Sequence, residues 1–130
     1  MNAFLVELQN KPGALATLAE TLGARGVNIT NVTGATCGDS GRAAITTGDD
    51  NTTRATLKTS GLTFKEFEIV ETHLSNTPGS LGKVARRLAD AGVNIEAIFP
   101  TGMAGSEINV GFVVADPAKA KQILQTAAVR

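Results

Sequence analysis

Two sets of four residues have the types and spacing to hold a small zwitterion: Asn10, Pro12, Gly13 and Asn28, and again Asn76, Pro78, Gly79 and Asn94. In each set the two asparagines stand 18 apart. An asparagine carbonyl accepts from an α-ammonium, and its amide donates to a carboxylate. The Pro-Gly step reads as the entry to a helix, with proline in the first helical turn. Helix N-termini offer unpaired backbone N–H groups and a partial positive charge, so a carboxylate can dock there. Glycine has no side chain to block that approach. Asn-x-Pro-Gly is also ordinary turn and helix-start chemistry, and it is the second copy that favours a ligand.

The copies belong to a larger repetition. Sliding the chain by 66 positions sets Leu8–Leu15 on Leu74–Leu81 and Gly26–Ile29 on Gly92–Ile95. Between Leu8–Asn31 and Leu74–Ala97, eleven of 24 positions are identical. The chain is an internal duplication.

Periodicity then places the elements. Phe4, Val6 and Leu8 share one face of a strand over Ala3–Leu8. Leu15, Leu18, Ala19 and Leu22 recur at helical spacing, as do Leu81, Val84, Ala85 and Leu88. Gly26 and Gly92 close these helices. Strands follow at Val27–Ala35 and Arg42–Thr47, and at Val93–Thr101 and Glu107–Val114, with turns at Gly38–Gly41 and at Gly102 and Gly105. A threonine-rich, marginal helix is expected over Asp50–Ser60, led by an acidic cap at Asp49-Asp50-Asn51, and a better one over Pro117–Thr126. Leu62–Leu74 must supply both the last strand of one unit and the first of the next. The order predicts an α+β chain of two ferredoxin-like βαββαβ units, with antiparallel sheets and helices on one face. The expected bounds are 1–68 and 69–130. Phe64 aligns with Arg130, so the second unit is expected to lack its last strand. The open edge that results predicts a homodimer.

The pattern Asn-x-Pro-Gly-x-Leu, amphipathic helix, Gly-Val-Asn-Ile resembles the ACT domain, the amino-acid-sensing module of many biosynthetic enzymes, and does so in both repeats. The resemblance implies side-by-side pairing of units and a free amino acid bound at that interface. Its effector contacts carry over onto Asn10, Pro12, Gly13, Ala14, Asn28 and Ile29, and onto Asn76, Pro78, Gly79, Ser80, Asn94 and Ile95. Serine-sensing members often carry a histidine two residues before the first asparagine. Leu8 and Leu74 stand there, which argues against serine.

The remaining residues narrow the function by exclusion. Hydrophobic residues make up 42% and charged residues 18%, a globular balance, and the formal net charge is zero. A nucleic-acid binder would carry a basic excess. The five phenylalanines, without tyrosine or tryptophan, read as packing rather than as a base-stacking platform. No window reaches the length of a membrane span, and the N-terminus has no leader pattern. Cys37, the single cysteine, fits a reducing cytoplasm and reads as a bystander thiol. His73 has no nucleophile placed near it by spacing, and the first loop lacks the arginine that an acylphosphatase-like enzyme would need. Neither a metal nor a cofactor is expected. The reading is a non-enzymatic regulatory protein that senses an amino acid and signals to a partner enzyme of amino-acid metabolism. The alternative is a regulatory subunit that dimerises with such an enzyme and binds no ligand.

Overall fold

The computed structural model describes residues 1–126. Its elements run β1 (Asn2–Gln9), α1 (Ala14–Ala24), β2 (Ile29–Cys37), β3 (Ser40–Thr47), α2 (Asp50–Thr59), β4 (Phe64–Ser75), α3 (Ser80–Asp90), β5 (Ile95–Ala104), β6 (Glu107–Val114) and α4 (Pro117–Thr126). They form two compact units, Met1–Phe67 and Glu68–Arg130. The boundary between them falls within the residues of β4, with no separate linker segment in the sequence. The fold is α+β, with antiparallel strands in ACT-like ferredoxin arrangement.

In unit 1, β3 lies between β2 and β1, antiparallel to both. The start of β4 lies beside β1, where the Glu7 N–H donates to the Thr63 carbonyl at 2.9 Å. Phe4, Val6, Ile45, Leu18, Leu22, Val27 and Leu57 form the core between sheet and helices. α1 is fastened by only two fully buried side chains, Leu18 and Leu22. Truncating either to alanine would cost roughly 2–5 kcal/mol. The helical face expected from spacing is therefore narrower than it reads. Leu15 is 53% exposed and Ala19 is also exposed. α2 forms despite its threonines. Asp49 caps it by accepting from the Thr52 N–H at 3.0 Å, and Thr53, Thr56 and Thr59 donate their hydroxyls to carbonyls four residues back.

Unit 2 repeats this plan. β6 lies between β4 and β5, and Val70, Leu74, Val84, Leu88, Val93, Phe112 and Val114 are core. Leu81, the twin of Leu15, is again half exposed, at 51%. One difference breaks the simple register. Phe99 pairs with Gly111 and Pro100 with Val110, but Val110's other neighbour in β6, Asn109, pairs with Gly102. Thr101 is thus an inserted bulge residue, and beyond it the repeat offset is 67 instead of 66. Gly102 consequently lies inside β5, and the hairpin turn is Gly105-Ser106 alone. The expected absence of a final strand in this unit concerns residues 127–130, which lie outside the described residues. No helix among the described residues is long and apolar enough to cross a membrane.

Candidate functional site

Gly13 stands at the N-cap of α1 with φ +89° and ψ −10°, and Gly79 at the N-cap of α3 with φ +88° and ψ −9°. The Ala14 N–H reaches the Lys11 carbonyl at 3.3 Å, and the Ser80 N–H reaches the Thr77 carbonyl at 3.3 Å. Proline followed by a left-handed glycine, closed by that hydrogen bond, is a type II turn. Pro12 and Pro78 therefore precede the helix and set the turn, and they do not occupy its first helical position. A Cβ built on either glycine meets nothing within 4 Å, so backbone conformation alone calls for glycine here.

The turn is tied to the hairpin beside it. The Asn10 N–H donates to the Asp39 carbonyl at 2.9 Å, and Asn10 Nδ2 donates to the Gly38 carbonyl at 2.9 Å. In unit 2 the Asn76 N–H donates to the Ser106 carbonyl at 2.8 Å. The Asn76 side chain makes no hydrogen bond among the described residues.

Beside each turn lies a cavity. In unit 1 it measures about 500 Å³, between the end of β1, the turn, and strands β2 and β3. In unit 2 it measures about 290 Å³ between the corresponding elements. Once the bulge at Thr101 is allowed for, every residue lining the second cavity has its repeat partner lining the first. Asn10 answers to Asn76, Ala14 to Ser80, Leu15 to Leu81 and Val32 to Ile98. The two cavities are the same feature of the repeated fold.

The linings have diverged. Unit 1 presents Lys11 and Arg42, and unit 2 presents Thr77 where Lys11 stands. Arg42 corresponds by strand pairing to Asn109, whose side chain contacts His73 and does not line the cavity. Thr33, Gly34 and Gly41 give way to Phe99, Pro100 and Ile108, which accounts for the smaller volume. Ser75, Thr77 and Ser80 bond one another through their hydroxyls, at 3.2 and 2.9 Å. Arg42 meets Glu7 across the strands at 3.7 Å, with side chains 67% and 56% exposed. An ion pair so open to water is worth about 0–1 kcal/mol, which leaves the guanidinium available to a ligand.

Of the residues expected from sequence, Asn10, Ala14, Asn76 and Ser80 line the cavities; Pro12, Gly13, Pro78 and Gly79 shape the turns beside them. Asn28 and Asn94 do neither. The Asn28 carbonyl accepts from the Gly48 N–H, past the far end of β3 from the hairpin that holds Asn10. An eight-residue strand separates the two ends, roughly 25 Å. Within one unit, then, Asn10 and Asn28 cannot share one zwitterion, and the same holds for Asn76 and Asn94. Ile29 and Ile95 pack against the cores of their own units. Lys11 and Arg42 escaped the sequence reading. Lys11 is the variable residue inside the Asn-x-Pro-Gly motif, and Arg42 reaches the site only through the hairpin register. Among the described residues no group of side chains is arranged to hold a metal ion.

Residues 3–58 match the family model of the ACT domain. The match falls within unit 1. Unit 2 repeats the turn, helix and hairpin of the matched unit. Among solved structures, a protein from Bacteroides thetaiotaomicron is 24% identical over 96% of this chain and 86% of its own, with a TM-score of 0.76. The regulatory subunit of aspartate kinase from Thermus thermophilus, in ligand-free form, is 20% identical over 98% and 91%, with a TM-score of 0.66. That of Thermus flavus is 20% identical over 96% and 91%, with a TM-score of 0.67. At these identities the likeness is one of fold. No curated protein matches the chain.

Proposed function

We propose that this protein is a regulatory, non-catalytic module built from two ACT-type units, that it binds a free amino acid in the cavity beside each Pro-Gly turn, and that it passes occupancy to a partner enzyme of amino-acid metabolism. The observation that carries the reading is the matched pair of cavities, each lined by an asparagine and by the first residue of a helix. Asn10 Nδ2 is engaged by Gly38, so its carbonyl oxygen remains to accept from an α-ammonium. The helix N-terminus beside it favours the carboxylate. Residues 1–68 and 69–130 each supply one such site. The aspartate kinase regulatory subunits with this fold supply the analogy for the partner, which is an analogy of fold. We place the protein in the cytoplasm, where the exposed thiol of Cys37 stays reduced.

A homodimer completes the proposal. Leu15 and Val32 at the mouth of one cavity, and Leu81 and Ile98 at the other, are 53%, 54%, 51% and 38% exposed. Apolar side chains left open at equivalent places in both repeats suit a surface that a second copy covers. Asn28, Ile29, Asn94 and Ile95 would contribute to binding only where that copy brings this end of its own sheet against a cavity.

One observation favours a second reading. Asn10 already has a structural task in tying the turn to the hairpin, so a regulatory subunit that only dimerises would retain it. A dye-based thermal melt against the twenty amino acids separates the two, since the chain has no tryptophan or tyrosine. A ligand at 100 times its dissociation constant stabilises the fold by roughly 2.7 kcal/mol, an upward shift of several degrees. A selective rise supports sensing. No rise with any amino acid leaves the dimerisation reading.

A further inference from the structure

The two cavities share a plan and differ in charge, and we infer that they take different amino acids: unit 1 one with an anionic side chain, unit 2 a smaller neutral one. The inference rests on the amino-acid reading above and deepens it. In unit 1 the ammonium of Lys11 and the guanidinium of Arg42 both line the cavity. Lys11 has no ion-pair partner among the described residues, and Arg42 has only the distant, solvated Glu7. Two cations beside a helix N-terminus exceed what one α-carboxylate needs, so a second carboxylate on the ligand is what the surplus charge suits. The volume of about 500 Å³ leaves room for it.

Unit 2 is the internal control. Thr77 replaces Lys11, and its hydroxyl is spent on Ser75 and Ser80. Asn109 replaces Arg42 and turns to His73. Phe99, Pro100 and Ile108 contract the space to about 290 Å³ with apolar surface. Among the described residues no cation lines this cavity, so a ligand carboxylate beyond the α-carboxylate would be desolvated there without compensation.

Calorimetric titration of the full chain with aspartate, glutamate, asparagine, glutamine and alanine tests this, repeated on a Lys11→Thr, Arg42→Asn double variant that copies unit 2. Arg42→Lys serves as the charge-retaining check. A charge-assisted hydrogen bond lost to solvent-exposed partners corresponds to roughly tenfold in affinity. The expected result is that an acidic amino acid binds about tenfold or more tightly than its amide, with the preference lost in the double variant, kept in Arg42→Lys and eroded by salt. If amides bind as tightly as acids while amino-acid binding persists, the charge assignment is overturned and the sensing function stands. If no amino acid binds at all, both fail.

Discussion

Asn10 Nδ2 donates to the Gly38 carbonyl at 2.9 Å, which fastens the turn entering α1 to the tip of the β2–β3 hairpin. Its repeat partner Asn76 has no such bond among the described residues. The two asparagines that look interchangeable in the sequence therefore have unequal duties. Asn10→Ala should lower unfolding free energy by roughly 0.5–1 kcal/mol, the net worth of one exposed hydrogen bond. Asn76→Ala should leave stability unchanged and weaken only ligand binding in unit 2. Urea denaturation of both variants, followed by far-UV circular dichroism, checks the difference.

Gly13 and Gly79 are held at φ +89° and +88°. Alanine at either position must adopt a left-handed conformation at a cost of about 1–2 kcal/mol. Gly23, by contrast, lies inside α1 with open space around a built Cβ. Gly23→Ala should stabilise the chain by roughly 0.5–1 kcal/mol. Opposite signs for these substitutions in denaturant melts would support the turn assignment; equal effects would contradict it.

Glu66 accepts from Arg54 Nε and Nη2 at 2.6 Å each and from Asn2 Nδ2 at 2.6 Å. The Arg54 hydrogen bonds, and then that of Asn2, hold its carboxyl below the usual value against an opposing desolvation. A depressed folded pKa means that the stabilisation is present above the unfolded value, near 4.3, and is lost as pH falls through the folded value. Melting temperature should therefore fall with acidification below about pH 4.3. In Glu66→Gln the acid limb should be shallower and the plateau at neutral pH lower. An unchanged slope in the variant would remove Glu66 from the account.

Leu15 and Leu81 are half exposed, although their helical spacing marks them as core. Replacing both by glutamate should weaken self-association by roughly tenfold or more, as expected for apolar anchors at an interface. Monomer stability should change by no more than about 0.5 kcal/mol. Sedimentation equilibrium across a concentration series distinguishes this from a chain that is monomeric before the change.

The duplication, the element order and the shared strand β4 were legible because the repeats preserve both hydrophobic period and turn chemistry. Gly26 and Gly92 close α1 and α3 in left-handed conformation, at φ +73° and +77°, as the sequence reading expects. Pro12 and Pro78 are legible as turn formers, but they stand two residues before the first helical position that the spacing suggests for them. Proline suits the first helical turn and the second position of a type II turn equally well. The Thr101 bulge left no mark that a fixed offset could detect, so Arg42's true counterpart, Asn109, emerged only from strand pairing. Leu15 and Leu81 share the helical spacing of their buried neighbours yet lie half exposed, because spacing reports which face is apolar, not whether something covers it. The asparagine pairs misled for a related reason. A separation of 18 residues that spans an intervening helix carries the chain from one end of the sheet to the other.

The central claim is that the cavity beside each Pro-Gly turn is an amino-acid site, and a ¹⁵N-resolved NMR titration of the full chain tests it most directly. With the amino acid that raises the melting temperature, the amides of Asn10, Ala14, Thr33 and Gly41, or of Asn76, Ser80, Phe99 and Ile108, should shift saturably, and the shifts at one set should vanish in Asn10→Ala or Asn76→Ala respectively. Saturable shifts confined to residues away from both sets, or none with any of the twenty amino acids at millimolar concentration, would contradict the account.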